Sequence, residues 1–353
     1  MKKIFIASTI ALTACLLLSP AGYGQEQQKL AQTGMKFLNV GTDARSASLG
    51  DAVTAYEGGA SSIFYNPASM ARLSSNANIS FGQTQWIADI KHLHAAAAFA
   101  PLGGAYGVFG VTLQTVDYGD LQRTVRADNT QGFQDMGIFN PTALAIGVGY
   151  ARALSDRFSV GGSVKYVNQN LGDAARTITY KTVVNAADTT KLDTISTRYN
   201  TVESFREVAA FDFGILYHTG YKSLTFGMAV RNFSKEIKFQ EEEFQLPLIF
   251  KIGLAMDALD FFDVDKEMHS LLVSVDATHP RDYPEQLNVG LEYTFMKMLA
   301  LRGSYLFNNN EYNYSFGVGL QKSFGTYLLG LDYSYTPFKP FDPVHRFTFQ
   351  FSL

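Results

Sequence analysis

Cysteine is all but missing from this chain. Cys15 is the only one among 353 residues, which excludes a disulfide framework and a cysteine-based zinc module. Charge is scarce as well. Asp, Glu, Lys and Arg together make 17% of the sequence and the formal net charge is -3. With no basic run to track phosphates, the charge pattern gives no reason to expect a nucleic-acid partner. Tryptophan occurs once, against 19 tyrosines and 28 phenylalanines. After the first residues no long apolar run remains. The longest stretch, His94 to Pro101, is mostly alanine and far short of the roughly 20 residues that a helix needs to span a bilayer. What is present is a 46% hydrophobic, 14% aromatic chain with 30 glycines, able to bury enough apolar surface to offset its ordering entropy.

At the amino terminus Lys2 and Lys3 precede an apolar stretch from Ile4 to Leu18, then Ser19, Pro20 and the small residues Ala21, Gly22 and Gly24. That is the order of a secretory signal, with cleavage expected before Gln25 and residues 1–24 removed on Sec-dependent export. Leu12-Thr13-Ala14-Cys15 also resembles a lipoprotein processing box, which would make Cys15 an acylated first residue. Leu16 to Leu18, however, continue the apolar run where a lipoprotein turns polar.

The rest of the chain alternates with a period of two, as a strand does when one face meets an apolar medium and the other a polar one. Phe347, Phe349, Phe351 and Leu353 oppose Arg346, Thr348, Gln350 and Ser352. Leu287, Val289, Leu291 and Tyr293 oppose Asn288, Gly290, Glu292 and Thr294. Tyr327, Leu329, Leu331, Tyr333 and Tyr335 oppose Gly330, Asp332 and Ser334, and in 211–218 only Leu216 breaks the rule. About fourteen such ribbons are expected, near 78–86, 91–100, 104–116, 142–154, 157–169, 206–218, 222–232, 246–257, 268–278, 285–295, 298–308, 312–323, 326–335 and 345–353. Tight links (101–103, 154–156, 219–221, 296–297, 324–325) alternate with long polar ones (117–141, 170–205, 233–245, 336–344). This is the pattern of short periplasmic turns and longer external loops in an outer-membrane barrel. Two links fit less well: Ala258 to Lys266 is long for a periplasmic turn, and Asn309 to Glu311 is short for an external loop. The fold class is therefore all-β, a transmembrane antiparallel barrel over residues 78–353.

Between Gln25 and Ala77 the alternation stops and Gly, Ala, Ser and Asn dominate. Small residues pack backbone closely, and irregular backbone is tolerated at membrane depth where protein or water surrounds it. Residues 25–77 therefore read as an N-terminal plug in the lumen. The Asp43-Ala44-Arg45 element, the 47–51 stretch and Ile63-Phe64-Tyr65-Asn66-Pro67-Ala68, followed by the ribbons, resemble the PorV/PorQ family of outer-membrane proteins. That family lies within the FadL-like, long-chain fatty-acid transporter type of barrel with an amino-terminal hatch. The resemblance implies the outer membrane of a Gram-negative, Bacteroidetes-type cell. It also implies two alternative roles, protein export by type IX secretion or passage of an apolar small molecule.

Several residues follow as candidates. Asp43 and Arg45 are expected to pair and fix the hatch, while Asn66-Pro67 with Ala68 sets a turn where the hatch meets the wall, since proline fixes its own φ and biases its predecessor to extended geometry. Phe37, Phe64 and Tyr65 are candidates to line an apolar pocket between plug and wall. The third ribbon holds Gly104, Gly107 and Gly110, a density that weakens a ladder. By resemblance it is the candidate lateral gate, and the alternative is that these small residues make room for the plug. His92 and His94 share the lumen face and read as solvated residues there. A metal site would need a third ligand, and none is identifiable. Glu241 to Glu243 read as a hydrated loop. No phosphate loop, hydrolase-type serine motif or nucleophile partner for a histidine stands out, so neither a cofactor nor an enzymatic activity is expected. The partners expected are outer-membrane lipid and a type IX translocon or its secreted proteins, with an apolar small molecule as the alternative.

Overall fold

The computed structural model describes residues 33–126, 130–172, 174–184, 192–202, 204–239 and 242–353. The segment read as a signal peptide, with Cys15, lies outside the described residues, as do Glu241 and parts of two external loops.

Fourteen strands close into one antiparallel barrel in the order β1-β2-β3-β6-β7-β10-β11-β14-β15-β16-β17-β18-β19-β20. They are β1 (Ala77–Gln85), β2 (Lys91–Phe99), β3 (Val108–Asp117), β6 (Thr142–Ala153), β7 (Phe158–Asn170), β10 (Phe205–His218), β11 (Thr225–Ser234), β14 (Ile249–Asp257), β15 (His269–Pro280), β16 (Gln286–Phe295), β17 (Leu299–Phe307), β18 (Tyr314–Phe324), β19 (Tyr327–Thr336) and β20 (Val344–Ser352). The remaining strands form three two-stranded ribbons inside external loops: β4 (Leu121–Arg126) with β5 (Phe133–Phe139), β8 (Ala174–Val184) with β9 (Leu192–Val202), and β12 (Ile237–Phe239) with β13 (Glu242–Phe244). Closure is required at membrane depth, where no water can satisfy a free strand edge. The seam joins the first and last strands, with Ala77 N donating to Leu353 O at 3.0 Å and Leu353 N to Ala77 O at 2.9 Å.

The side-chain alternation maps onto the two faces of this wall. On β20 Phe349 is 47% exposed toward the lipid side, while its neighbour Thr348 is 0% exposed on the lumen side. Leu216, the residue that broke the alternation, points into the packed interior.

The described part of the amino-terminal segment, 33–76, lies within the lumen as short turns of helix. It comprises 3₁₀ turns at Lys36–Asn39, Ala60–Phe64 and Pro67–Arg72 and one α-turn, α1 (Ala44–Ser48). Met35, Phe37 and Leu38 pack against Val116, Val167, Val208, Ile237 and Leu246 toward the external end, while Ile63 and Met70 pack against Val108 and the alanines of β2. Each large apolar side chain buried this way contributes about 1.5–3 kcal/mol relative to exposure.

The ill-fitting links also have structural accounts. Ala258–Phe261 is a 3₁₀ turn capped by Asp257, so this long periplasmic connection is built rather than slack. The link after β17 is short and external, as the alternation of ends requires. The third strand begins at Val108, so Gly104 and Gly107 fall in the preceding turn, where both have positive φ, and only Gly110 lies in the strand. β3 pairs with β2 from Lys91↔Asp117 to Phe99↔Phe109 and with β6 from Val108↔Ala151 to Asp117↔Thr142, without a register shift. This corrects the expectation of a lateral gate at that strand: its ladder is continuous on both sides among the described residues.

Candidate functional site

The Asn-Pro-Ala turn is seated against the wall by missing side chains. Asn66 accepts from Ala68 N at 3.0 Å and donates through Nδ2 to Thr54 O at 2.7 Å and to Ile215 O of β10 at 3.1 Å. A Cβ on Gly214 would lie 1.9 Å from Asn66 Oδ1, and one on Gly161 would lie 2.5 Å from Ala68 N. Those two wall positions therefore accept only glycine if the turn is to sit where it does. Phe64 packs edge-on to His94, 5.9 Å between centroids. His92 and His94 are both buried between hatch and wall, which corrects their reading as solvated lumen residues.

Asp43 and Arg45 are close in sequence but do not pair. Asp43 caps α1, accepting from Ser46 N at 2.8 Å and from Ser46 Oγ at 2.6 Å. Arg45 points the other way and forks onto Glu292 of β16, with Nε to Oε2 at 2.9 Å and Nη2 to Oε1 at 2.5 Å, while its guanidinium lies 4.2 Å from the Tyr56 ring centroid. Glu292 is shared with Arg302 of β17, which also reaches Asp332 of β19 at 2.6 Å. The expected pair is thus replaced by a hatch-to-wall pair. A capping residue and a residue two further along a helix turn face different directions, so the two partners separate. Glu292, Arg302 and Asp332 are the residues missed by sequence reasoning. The available signal was their position on the polar face of alternating ribbons, where a charge turned into a packed lumen requires a partner.

A cavity of about 740 Å³ opens between the hatch and the external connections. Its upper wall is aromatic, with Trp86, Tyr312, Phe338 and Phe341, and Phe338 packs 4.9 Å from Trp86. Burial pushes the Tyr312 phenol well above its ordinary range, so it stays neutral. Its floor is polar. Asn39 Oδ1, Asp51 Oδ1, His92 Nδ1, Arg231 Nε, Thr278 Oγ1 and Asn288 Oδ1 are buried there without a hydrogen-bond partner among the described residues, beside Lys251. Of the three residues expected to line one apolar pocket, Phe37 is in this wall. Tyr65 and Phe64 lie deeper, Tyr65 under Arg231, so the three do not form one pocket.

A second cavity of about 480 Å³ opens at the periplasmic end, lined by Arg45, Tyr56, Glu292, Arg302, Asp257, Lys266 and His269 among others.

The fold is shared with solved structures of low sequence identity. The toluene transporter TbuX of Ralstonia pickettii superposes with a TM-score of 0.56 at 12% identity, covering 89% of this chain and 98% of that one. The toluene transporter TodX of Pseudomonas putida gives 0.56 at 12%, covering 87% and 96%. The CymD monoaromatic hydrocarbon channel gives 0.52 at 13%, covering 89% and 97%. No curated protein matches the chain. The match that reaches beyond fold is to the family described as type IX secretion system protein PorV, over residues 23–275. With that match across most of its length, and with a fourteen-stranded barrel closed around an amino-terminal hatch, this chain belongs to the PorV family of type IX secretion system outer-membrane proteins.

Proposed function

We propose that this barrel serves type IX export by binding a protein partner, a translocon component or a secreted substrate, at its external end, with the 740 Å³ cavity receiving a segment of that partner. One observation carries this reading: the cavity joins an aromatic wall to a floor of unpartnered donors and acceptors. A polypeptide segment brings apolar side chains together with N–H and C=O groups. A ligand without polar atoms would bury that floor unsatisfied, at a cost of about 1–3 kcal/mol per group. The hairpins β4–β5 and β12–β13, standing beyond the wall on the same side, add surface for such a partner.

The second reading is carriage of an apolar small molecule. Its support is the aromatic wall of the same cavity and a fold shared with hydrocarbon transporters. The two separate in one experiment. The full-length barrel is captured from native outer membranes, and bound protein and lipid are both identified by mass spectrometry, in parallel with Gln286→Trp, which narrows the cavity wall. A secreted protein or translocon subunit that is retained by the native chain and lost from Gln286→Trp is the expected result. An apolar small molecule retained with no protein would overturn it in favour of carriage.

A further inference from the structure

The two cavities come within one layer of side chains of meeting. On the paired strands β16 and β17, three successive inward-facing pairs run from outside to inside: Asn288↔Leu306, Gly290↔Ser304 and Glu292↔Arg302. Asn288 and Leu306 line the external cavity, and Glu292 and Arg302 line the periplasmic one. Glu292 lies four residue steps along the strand from Asn288, about 14 Å along the wall.

The middle layer has almost no side chain of its own. Gly290 has none, and its place is taken by the hatch: a Cβ there would lie 2.8 Å from Leu49 O. Ser304 faces Gly50, whose φ of +63° favours glycine and where an added Cβ would press on Ser304 Cβ at 3.1 Å. What parts the cavities along this sector is therefore the backbone turn Leu49-Gly50-Asp51 at the end of α1. Asn288 Nδ2 holds Gly50 O from above at 2.8 Å, and Lys251 Nζ holds Asp51 O at 2.7 Å. From below, the fork of Arg45 on Glu292 ties α1 to the wall.

We infer a second activity for this barrel, gated passage of small hydrated ions through its lumen, with the Leu49–Asp51 turn as the gate and the Arg45–Glu292 pair as its latch. Next to the turn the lining presents amide and charged groups, Asn288 and Lys251 on the external side and Glu292 and Arg302 on the periplasmic side, with Ser304 at the level between them, and these groups suit a hydrated ion. Charges already paired with one another on the wall remain satisfied when Arg45 leaves, because Glu292 keeps Arg302. Release of the latch therefore strands one cation, in a cavity open to the periplasm, instead of a buried anion.

The test uses the full barrel in planar bilayers with potassium chloride as the probe, its folding checked by heat-modifiable gel mobility. The native chain is expected to be closed. Arg45→Met and Gly290→Ala are each expected to give stepwise conductance, the second by pushing Leu49 from its seat with every charge in place. As a second readout, Ser304→Cys is labelled with a charged, membrane-impermeant thiol reagent, and the native chain, whose single cysteine is Cys15, serves as blank. Labelling should be about tenfold faster when Arg45→Met is combined with it. The inference is overturned if the native barrel already conducts as the variants do. It is equally overturned if a folded variant, either one, stays closed with Ser304→Cys labelled no faster than in the native background.

Discussion

Single atoms decide how the hatch is held. Gly214 and Gly161 are ordinary strand residues by sequence, yet each occupies the position where an added carbon would overlap the Asn66-Pro67-Ala68 turn. Gly214→Val is therefore expected to displace residues 60–72 without opening the barrel. Hydrogen exchange in reconstituted protein should show faster exchange in that segment, while the amides of β7 and β10 stay protected. Asn66→Ala removes two donated bonds to backbone carbonyls in a buried site, and about 1–3 kcal/mol of local stability should go with them, read as increased protease access to the hatch. The residue types in this motif were legible in the sequence because proline and asparagine carry their turn preference locally. Their partners were not, since Thr54 and Ile215 reach Asn66 only after the chain has closed into a barrel. The same limit explains Asp43 and Arg45. Opposite charges two apart suggest a pair, but the helix cap consumes one and Glu292, 247 residues from Arg45, takes the other.

At the scale of the element, the periplasmic turn after β14 is held by two carboxylates, the Asp257 cap and Asp260, and Asp260 is the one that ties it to the neighbouring turn at Ser223. Asp260 accepts from Ser223 N at 2.9 Å, and also from Ser223 Oγ, and pairs with Lys266 at 2.5 Å. The hydrogen bonds from Lys266 and Ser223 hold its carboxyl down to about 2, from an ordinary 3.8. A carboxyl depressed by folding stabilises the turn fully above its ordinary value and loses that contribution as pH falls through the folded value. The turn should thus loosen between pH 4 and pH 2, seen as faster proteolysis within 258–268 by an acid-active protease. Asp260→Asn should be loose already at neutral pH and flat across that window. The wall strands themselves were readable because lipid on one side and packed protein on the other force a period of two. The hairpins inside the external loops were not. β4, for instance, is exposed at Leu121, Gln122 and Thr124 and buried at Val125, so no sustained alternation is imposed on Leu121–Arg126. Gly104 and Gly107 read as strand residues for a related reason: a glycine at the strand end looks like one inside it until the positive φ of a turn separates them.

For the whole molecule, the outward apolar face is what the membrane recognises. Leu331 lies at the middle of β19 and faces lipid. Leu331→Arg is expected to cost about 2–4 kcal/mol of folding stability in lipid vesicles, as arginine does near the midplane of such barrels. Denaturant titration followed by the emission of Trp86, the single tryptophan, would measure it. An unchanged midpoint would mean that this face does not meet hydrocarbon.

By itself the sequence determined that the chain is a closed ribbon of about fourteen strands with a small-residue segment set inside, because alternation, loop length and glycine content act residue by residue along the chain. The tertiary structure alone decided which hatch residue meets which strand, that the ladder of β3 runs unbroken to both neighbours, and that two cavities stop one backbone turn short of each other. Those facts depend on contacts between residues hundreds of positions apart, and a local pattern carries no record of its distant partner.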